Sequence, residues 1–366
     1  SSAASDVYKR QIKYSHMNKN KKLANDIKLV EMFIKKDISK EKTISGLYQY
    51  IFKSNGKKIR ARLNLIASSK NINKNRIKLA SVIELLHTAT LIHDDVVDDS
   101  AVRRGSKSVN KLWTNSHGVL IGDYIYSKAF MYMVDIGNNK ILNELANATN
   151  DISQGELIQL DAIQNLNITL QKLKKISYYK TGRLFEAAAK TGAINSNANQ
   201  AFISNISECA KNLGILFQIK DDMLDYSDNK KIGKPIFQDI NEGKVTYPFF
   251  YAYKKANTKE KKILKELLCS SKKVKSIDIE LIKDLGGLKK AKQLANQYYK
   301  KSVECAMKIK NLDIREEMIE LSNNALNREK WVLVRKVITQ KMSLLHVLTA
   351  SYSRMMVMED CHQIKC

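Results

Sequence analysis

The residues best suited to chemistry in this 366-residue chain are aspartates, gathered in two places. His93-Asp94-Asp95-Val96-Val97-Asp98-Asp99 holds four carboxylates within six positions, and on a helix Asp94 and Asp98 stand one turn apart on one face. Like charges at that spacing repel, so a cation belongs among them. Gln218-Ile219-Lys220-Asp221-Asp222-Met223-Leu224-Asp225 repeats the pattern, with aspartates at i, i+1 and i+4. Hard carboxylate oxygens in this number suit Mg²⁺, which takes a few carboxylates, keeps some waters and fills its remaining positions from substrate phosphates. Neither cluster has the Gly and Glu spacing of a calcium EF-hand loop. A solvated acidic helix end is the plain alternative. Against it, both clusters end apolar stretches of a chain that is basic almost everywhere else.

Phosphates bridged by such a cation call for basic side chains, and three places supply them. Gly56-Lys57-Lys58-Ile59-Arg60 sets Lys57 and Arg60 a turn apart after a glycine, and Arg103-Arg104-Gly105 follows the first cluster. Gly233-Lys234 and Gly243-Lys244 flank Asp239 after the second cluster. Arginine is scarce in the chain, yet three Arg stand in these motifs, where a planar fork can hold a diphosphate bidentately.

Helices must position these groups. Leu79, Val82, Ile83, Leu86, Ala89, Thr90 and His93 recur at helical steps, and similar periodicity predicts long helices over 119–134, 173–189, 203–224 and 288–309. Only 2 Pro and 14 Gly occur, too few turn residues for a many-stranded sandwich or barrel and for a linker between two domains. The expected fold is all-α, a single large helical bundle. Residues 1–16 read as an assembly remnant ahead of Met17, residues 17–328 as the folded domain, and 329–366 as a basic tail with no assignable role. Pro235 and Pro248 bracket a stretch without clean periodicity, read as an ordered functional loop.

The formal net charge of +26 raises nucleic acid as a partner, but the surplus is lysine spread through every segment, without a stripe carrying Arg and aromatics. The reading is no nucleic acid. Five Cys without a CxxC pair indicate neither zinc nor a disulfide framework, so a reducing, cytoplasmic location is expected, organellar in a eukaryote. No apolar run is long enough to span a membrane.

These motifs together resemble the trans-polyprenyl diphosphate synthase family over roughly Leu23 to Arg328. The two aspartate-rich motifs read LIHDDVVDDSAVRRG (Leu91 to Gly105) and FQIKDDMLDY (Phe217 to Tyr226), joined by GKKIR at Gly56, by Lys180-Thr181-Gly182 and by GKPIFQDINEGKVTYP from Gly233. Ala61 stands where proline usually follows GKxxR, Ser106-Lys107-Ser108 replaces a stretch that usually holds one, and Ile236-Phe237-Gln238 is bulkier than usual. The resemblance implies a bundle of the isoprenoid synthase type with a central cavity and up to three Mg²⁺ ions on Asp94, Asp95, Asp98, Asp221 and Asp222, with Asp225 helping. It further implies that Arg103, Lys180, Lys234 and Lys244 grip an allylic diphosphate and that Lys57, Arg60, His87 and Arg104 hold isopentenyl diphosphate. Thr181, Gln218 and Phe217 would line the reacting carbons. His87 reads equally as a core histidine.

Ala89 and Thr90 stand where short-chain members carry a blocking aromatic, so the resemblance implies a long-chain product of octaprenyl or solanesyl type, made from farnesyl diphosphate for quinone side chains. Phe130 and Met133 are deeper floor residues of the product path or ordinary core. The family also implies a homodimer, with peripheral membrane contact for product release. The alternatives are a short-chain farnesyl or geranylgeranyl diphosphate synthase and a non-catalytic subunit of a heteromeric synthase, though such subunits usually lose aspartates. A class I terpene cyclase would not be expected to carry GKxxR, RRG and two matched motifs.

Overall fold

The computed structural model describes residues 21–36, 38–53, 56–69, 73–226, 237–269 and 276–328. Helices dominate. In chain order they are α1 (21–36), α2 (Lys42–Lys53), α3 (Ile59–Ala67), α4 (Arg76–Val97), α5 (Val109–Leu112), α6 (Asn115–Ile136), α7 (Asn139–Leu160), α8 (Leu170–Ser177), α9 (Arg183–Asn195) and α10 (Gln200–Leu224), followed by α11 (Gln238–Asn241), α12 (Tyr247–Lys255), α13 (Thr258–Cys269), α14 (Ser276–Asp284), α15 (Gly287–Met307) and α16 (Leu312–Leu326). Capping residues fix several starts. The side chains of Thr114, Asn138, Thr169, Asn199 and Asn311 accept backbone N–H groups from the first turns of α6, α7, α8, α10 and α16.

One apolar core runs through the bundle, with α4 packed on α3, α6 and α9, and α10 packed on α9, α15 and α16. A smaller cluster, including Phe237, Ile240, Phe249, Leu264 and Ile282, lies under α11 to α14. Glycines set the closest approaches. A methyl group at Gly118 would come 2.6 Å from Val96, and one at Gly122 would collide with the His93 ring, so α6 lies directly against the end of α4 that carries the first aspartates.

One expectation needs correction. The periodic stretch 173–189 is not one helix, because α8 and α9 are separated by a π-turn, Tyr178–Gly182, wide enough to take one extra residue. It is gripped from both sides: a methyl group at Gly155 of α7 would lie 2.7 Å from Tyr179 Cβ, and one at Gly214 of α10 would lie 2.6 Å from Gly182 Cα. The segment after the first motif is a two-stranded hairpin, β1 (Val102–Arg103) and β2 (Ser106–Lys107), with Arg103 opposite Ser106. The stretch bracketed by Pro235 and Pro248 contains the short helix α11, while 227–236 and the tail 329–366 lie outside the described residues.

Candidate active site

The first aspartate motif closes α4. Asp95 is buried, and its Oδ1 accepts from Arg103 Nε at 2.8 Å and from the Nη2 of the same guanidinium. Asp98 Oδ1 pairs with Lys244 Nζ at 2.9 Å, and Lys244 also meets Glu242 at 2.6 Å. Burial opposes the charge of Lys244, but Glu242 and Asp98 outweigh it and hold its ammonium well above the ordinary lysine range. Asp94 acts at longer range, helping to raise the pKa of Lys180.

The second motif closes α10 and is held differently. Asp222 accepts from Gln218 Nε2 at 2.9 Å and from the Tyr247 backbone N–H at 3.2 Å. Burial, followed by the nearby charge of Asp239, pushes its carboxyl up to about 8. Asp225 accepts the backbone N–H groups of Gln238 and Asp239 at 3.0 and 3.1 Å, one on each oxygen. Its carboxylate thus anchors the start of α11. Asp221 pairs with Arg328 at 2.8 Å.

Basic groups fill the space around these carboxylates. Arg104 and Gly105, at φ 54° and 79°, form the two-residue turn of the hairpin, which demands positive φ at both positions. Arginine is a costly choice there, and the conformation brings its guanidinium against Gly56, where a methyl group would lie 2.9 Å away. Arg60 Nη1 donates to His87 Nε2 at 2.9 Å, and its guanidinium lies 4.8 Å over the Phe185 ring. Burial lowers Arg60 to about 10 and, with Arg60 and Arg104 beside it, keeps His87 well below its usual value and neutral. Lys57 is lowered by burial and by Arg328.

The π-turn delivers the next pair. Lys180 donates to Glu156 at 2.6 Å and Gln159 at 2.7 Å, while Thr181 Oγ1 donates to Gln218 Oε1 at 2.6 Å. Thr181 and Asp222 are therefore linked through one glutamine side chain. Phe217 lies between Phe185, 5.5 Å away, and the Arg328 guanidinium, 4.2 Å above its ring. Ala89 and Met133 are fully buried, Thr90 turns its hydroxyl back to the His87 carbonyl at 2.9 Å, and half-buried Phe130 packs on Tyr126. Lys234 lies outside the described residues.

Four residues of this neighbourhood escaped sequence reading: Glu84, Glu156, Gln159 and Arg328. Glu156 and Gln159 had a usable signal, two polar groups at i, i+3 following a glycine. Arg328 had none. Of the sequence departures, Phe237 takes φ 62°, a conformation that glycine adopts freely, and burial of its ring in the smaller cluster holds it there.

Asp94, Asp95, Asp98, Asp221 and Asp222 form a donor set of hard oxygens on two helix ends, the chemistry that a magnesium–diphosphate unit requires. Among the described residues no three acidic, histidine or cysteine groups form a ready cage.

A sequence profile of the polyprenyl synthetase family matches residues 41–285. The chain is 32% identical over 292 residues to octaprenyl diphosphate synthase of Escherichia coli, covering 78% of this chain and 90% of that one. It is 31% identical over 313 residues to the all-trans-nonaprenyl-diphosphate synthase (geranyl-diphosphate specific) of Rhodobacter capsulatus, covering 84% and 96%. Among solved structures, a decaprenyl diphosphate synthase from Rhodobacter capsulatus superposes with a TM-score of 0.80 at 31% identity, over 86% of this chain and 99% of that one. A polyprenyl synthase from Caulobacter crescentus, complexed with calcium and isoprenyl diphosphate, gives 0.78 at 31% identity, over 84% and 94%. The profile match, these relatives and the shared helical fold agree, and the chain belongs to the polyprenyl synthetase family of prenyltransferases.

Proposed function

We propose that this protein condenses isopentenyl diphosphate with an allylic diphosphate, farnesyl diphosphate by preference, into a long-chain all-trans polyprenyl diphosphate for quinone side chains. The observation that carries the reading is the exchangeable state of the first motif. Asp95 and Asp98 are paired with Arg103 and Lys244, the cations expected to turn towards a diphosphate when it arrives. The length of the product rests on the similarity to long-chain synthases and on the small side chain of Ala89 in the core beside the motif.

Arg103, Lys180, Lys244 and Lys234 would bind the allylic diphosphate; Lys57, Arg60, Arg104 and neutral His87 would bind isopentenyl diphosphate. Mg²⁺, held by Asp94, Asp95, Asp98, Asp221 and Asp222, would supply Lewis-acid charge to the leaving diphosphate. The basic side chains add fixed positive charge where the C–O bond ionises, at no reorganisation cost during the step. Phe185 and Phe217 exclude water from the carbocation, and Thr181 with Gln218 orients the carbons that meet. The double bond of isopentenyl diphosphate attacks the cation, and the departing diphosphate takes the proton.

The protein is proposed to work as a cytoplasmic homodimer. Leu120, Met131 and Val134 are each about two-thirds exposed along one face of α6, an apolar surface that a second copy would cover. No helix among the described residues is long and apolar enough to cross a membrane, so membrane contact at product release would be peripheral. Incubation with isopentenyl diphosphate, farnesyl diphosphate and Mg²⁺, followed by chromatography of the dephosphorylated products, tests the reading. Long-chain alcohols are expected, and their absence overturns it. Ala89→Phe should shift the products towards farnesyl and geranylgeranyl lengths while consumption of primer continues, because no phosphate contact is touched. An unchanged distribution would remove Ala89 from the product path.

A further inference from the structure

Glu84 is a buried anion that the reaction does not consume, surrounded by the cations of the proposed isopentenyl-diphosphate cradle. It lies on α4, 3% exposed and one turn from His87. Its Oε1 accepts the backbone N–H of Ala61 at 3.1 Å, and its Oε2 lies 3.7 Å from Lys58 Nζ. The first turn of a helix has N–H groups without partners inside the helix, and Ala61 is the third residue of α3. No cap from the preceding residue serves α3: Lys58, at φ 49°, makes no side-chain cap bond. A carboxylate from a different helix therefore does the work of a cap.

The consequence reaches the substrate through the chain. Lys57 immediately precedes Lys58, whose left-handed backbone turns the loop into α3, and Arg60 immediately precedes Ala61. Fixing the Ala61 amide and the Lys58 ammonium on one carboxylate fixes the register of both cations between them. A proline at this position would have no N–H to offer. Alanine makes the bond to Glu84 possible, and the bond replaces the rigidity that a ring would have given.

We propose that Glu84 is a positioning residue for isopentenyl diphosphate, holding Lys57 and Arg60 in register by capping α3 at Ala61. The proposal rests on assigning Lys57 and Arg60 to that substrate. Glu84 also helps to keep Arg60 and Arg104 protonated against burial, a contribution that a neutral acceptor would not supply.

The test compares Glu84→Ala, which removes the acceptor, with Glu84→Gln, which keeps an oxygen for the Ala61 N–H. Calorimetric titration of isopentenyl diphosphate and steady-state kinetics are read together, with helix content by circular dichroism as the control for folding. Glu84→Ala should weaken isopentenyl diphosphate binding tenfold or more and raise its KM alike, with the KM for the allylic substrate within twofold of wild type. Glu84→Gln should recover binding to within threefold. In an Ala61→Pro background, where the bond cannot form, Glu84→Ala should cost less than threefold. Equal penalties from Gln and Ala, equal penalties in both backgrounds, or a uniform rise in both KM values would each overturn the proposal. A wild-type protein that makes no prenyl product would instead overturn the function, a different result from a working enzyme indifferent to Glu84. If Glu84→Ala does not fold, the Gln variant and the Ala61→Pro protein still decide: tenfold weakening by Glu84→Gln in the native background contradicts the capping role.

Discussion

Asp95 and Asp98, in the first motif, are held by the ends of long flexible side chains, Arg103 and Lys244, whereas Asp222 and Asp225, in the second, are held by main-chain N–H groups of Tyr247, Gln238 and Asp239. A lysine or arginine can swing from a carboxylate to an arriving phosphate for little more than rotamer entropy. A backbone amide cannot leave without unwinding the element it belongs to. The same spacing of aspartates therefore meets two kinds of partner: side-chain cations that are able to turn aside at the first motif, and main-chain amides at the second, which join α10 to the segment that begins α11 and α12. Asp221, paired with the side chain of Arg328, is held in the manner of the first motif.

The largest effect should come from removing cation chemistry altogether. EDTA in excess should abolish product formation, and Asp94→Ala or Asp221→Ala should lower turnover about 100-fold or more with helix content unchanged, the scale on which a single transition-state stabiliser acts. Retained activity in EDTA would break both halves of the comparison. Next, the two arginines of the hairpin should separate by substrate. Arg103→Ala should raise the KM of the allylic diphosphate roughly tenfold and Arg104→Ala that of isopentenyl diphosphate, as the loss of about 1.5 kcal/mol from one charge-assisted bond predicts. Equal effects on both substrates would mean that the hairpin moves as one unit.

Asp225→Ala is the sharpest probe of the contrast itself. It should lower stability by about 1–3 kcal/mol in thermal unfolding, because two amides lose their acceptor, and Asp225→Asn should recover part of that. Asp94→Ala should leave the melting temperature where it was or raise it, since it relieves repulsion. If the two substitutions behaved alike in unfolding, the distinction between a joint and an exchange site would fail. The smallest effect concerns His87. It is neutral in the folded protein, held so by burial and by Arg60, Arg104, Lys58 and Arg103, but titrates near 6.5 once unfolded. The unfolded state therefore binds the extra proton, and stability should fall as pH drops below about 6.5, by up to roughly 1.4 kcal/mol per pH unit from this group. His87→Gln should flatten that slope, and an unchanged slope would assign it to other groups.

Much of the site could be read from residue order because its chemistry needs local clusters. Aspartates at i, i+1 and i+4 declare themselves, and so do paired basic residues beside a glycine. What could not be read depends on meetings between distant elements. Asp225 has the same sequence neighbourhood as a metal ligand, and only the approach of residues 238 and 239 shows its carboxylate occupied by amides. Glu84 is one charged residue in an apolar helix, visible as an anomaly but without a stated partner until Ala61 is brought to it. The helix periods were legible over α4, α6, α10 and α15 because burial on one face repeats there. They misled at 173–189, where a single extra residue leaves the apolar spacing nearly intact while breaking the hydrogen-bond ladder.

That extra residue also constrains how the gene can change. An α-helix advances about 100° per residue, so deleting one position within 178–182 would merge α8 and α9 into one rod and rotate the whole of α9 relative to α8 by that angle. Arg183, anchored to Glu144 and Asp151 at 2.6 and 2.7 Å, would swing away from both, and Lys180 and Thr181 could no longer reach α7 and α10 together. Substitutions here alter one contact at a time, whereas insertions and deletions shift every contact downstream. The length of this short segment is accordingly a stricter inheritance than the identity of most residues within it.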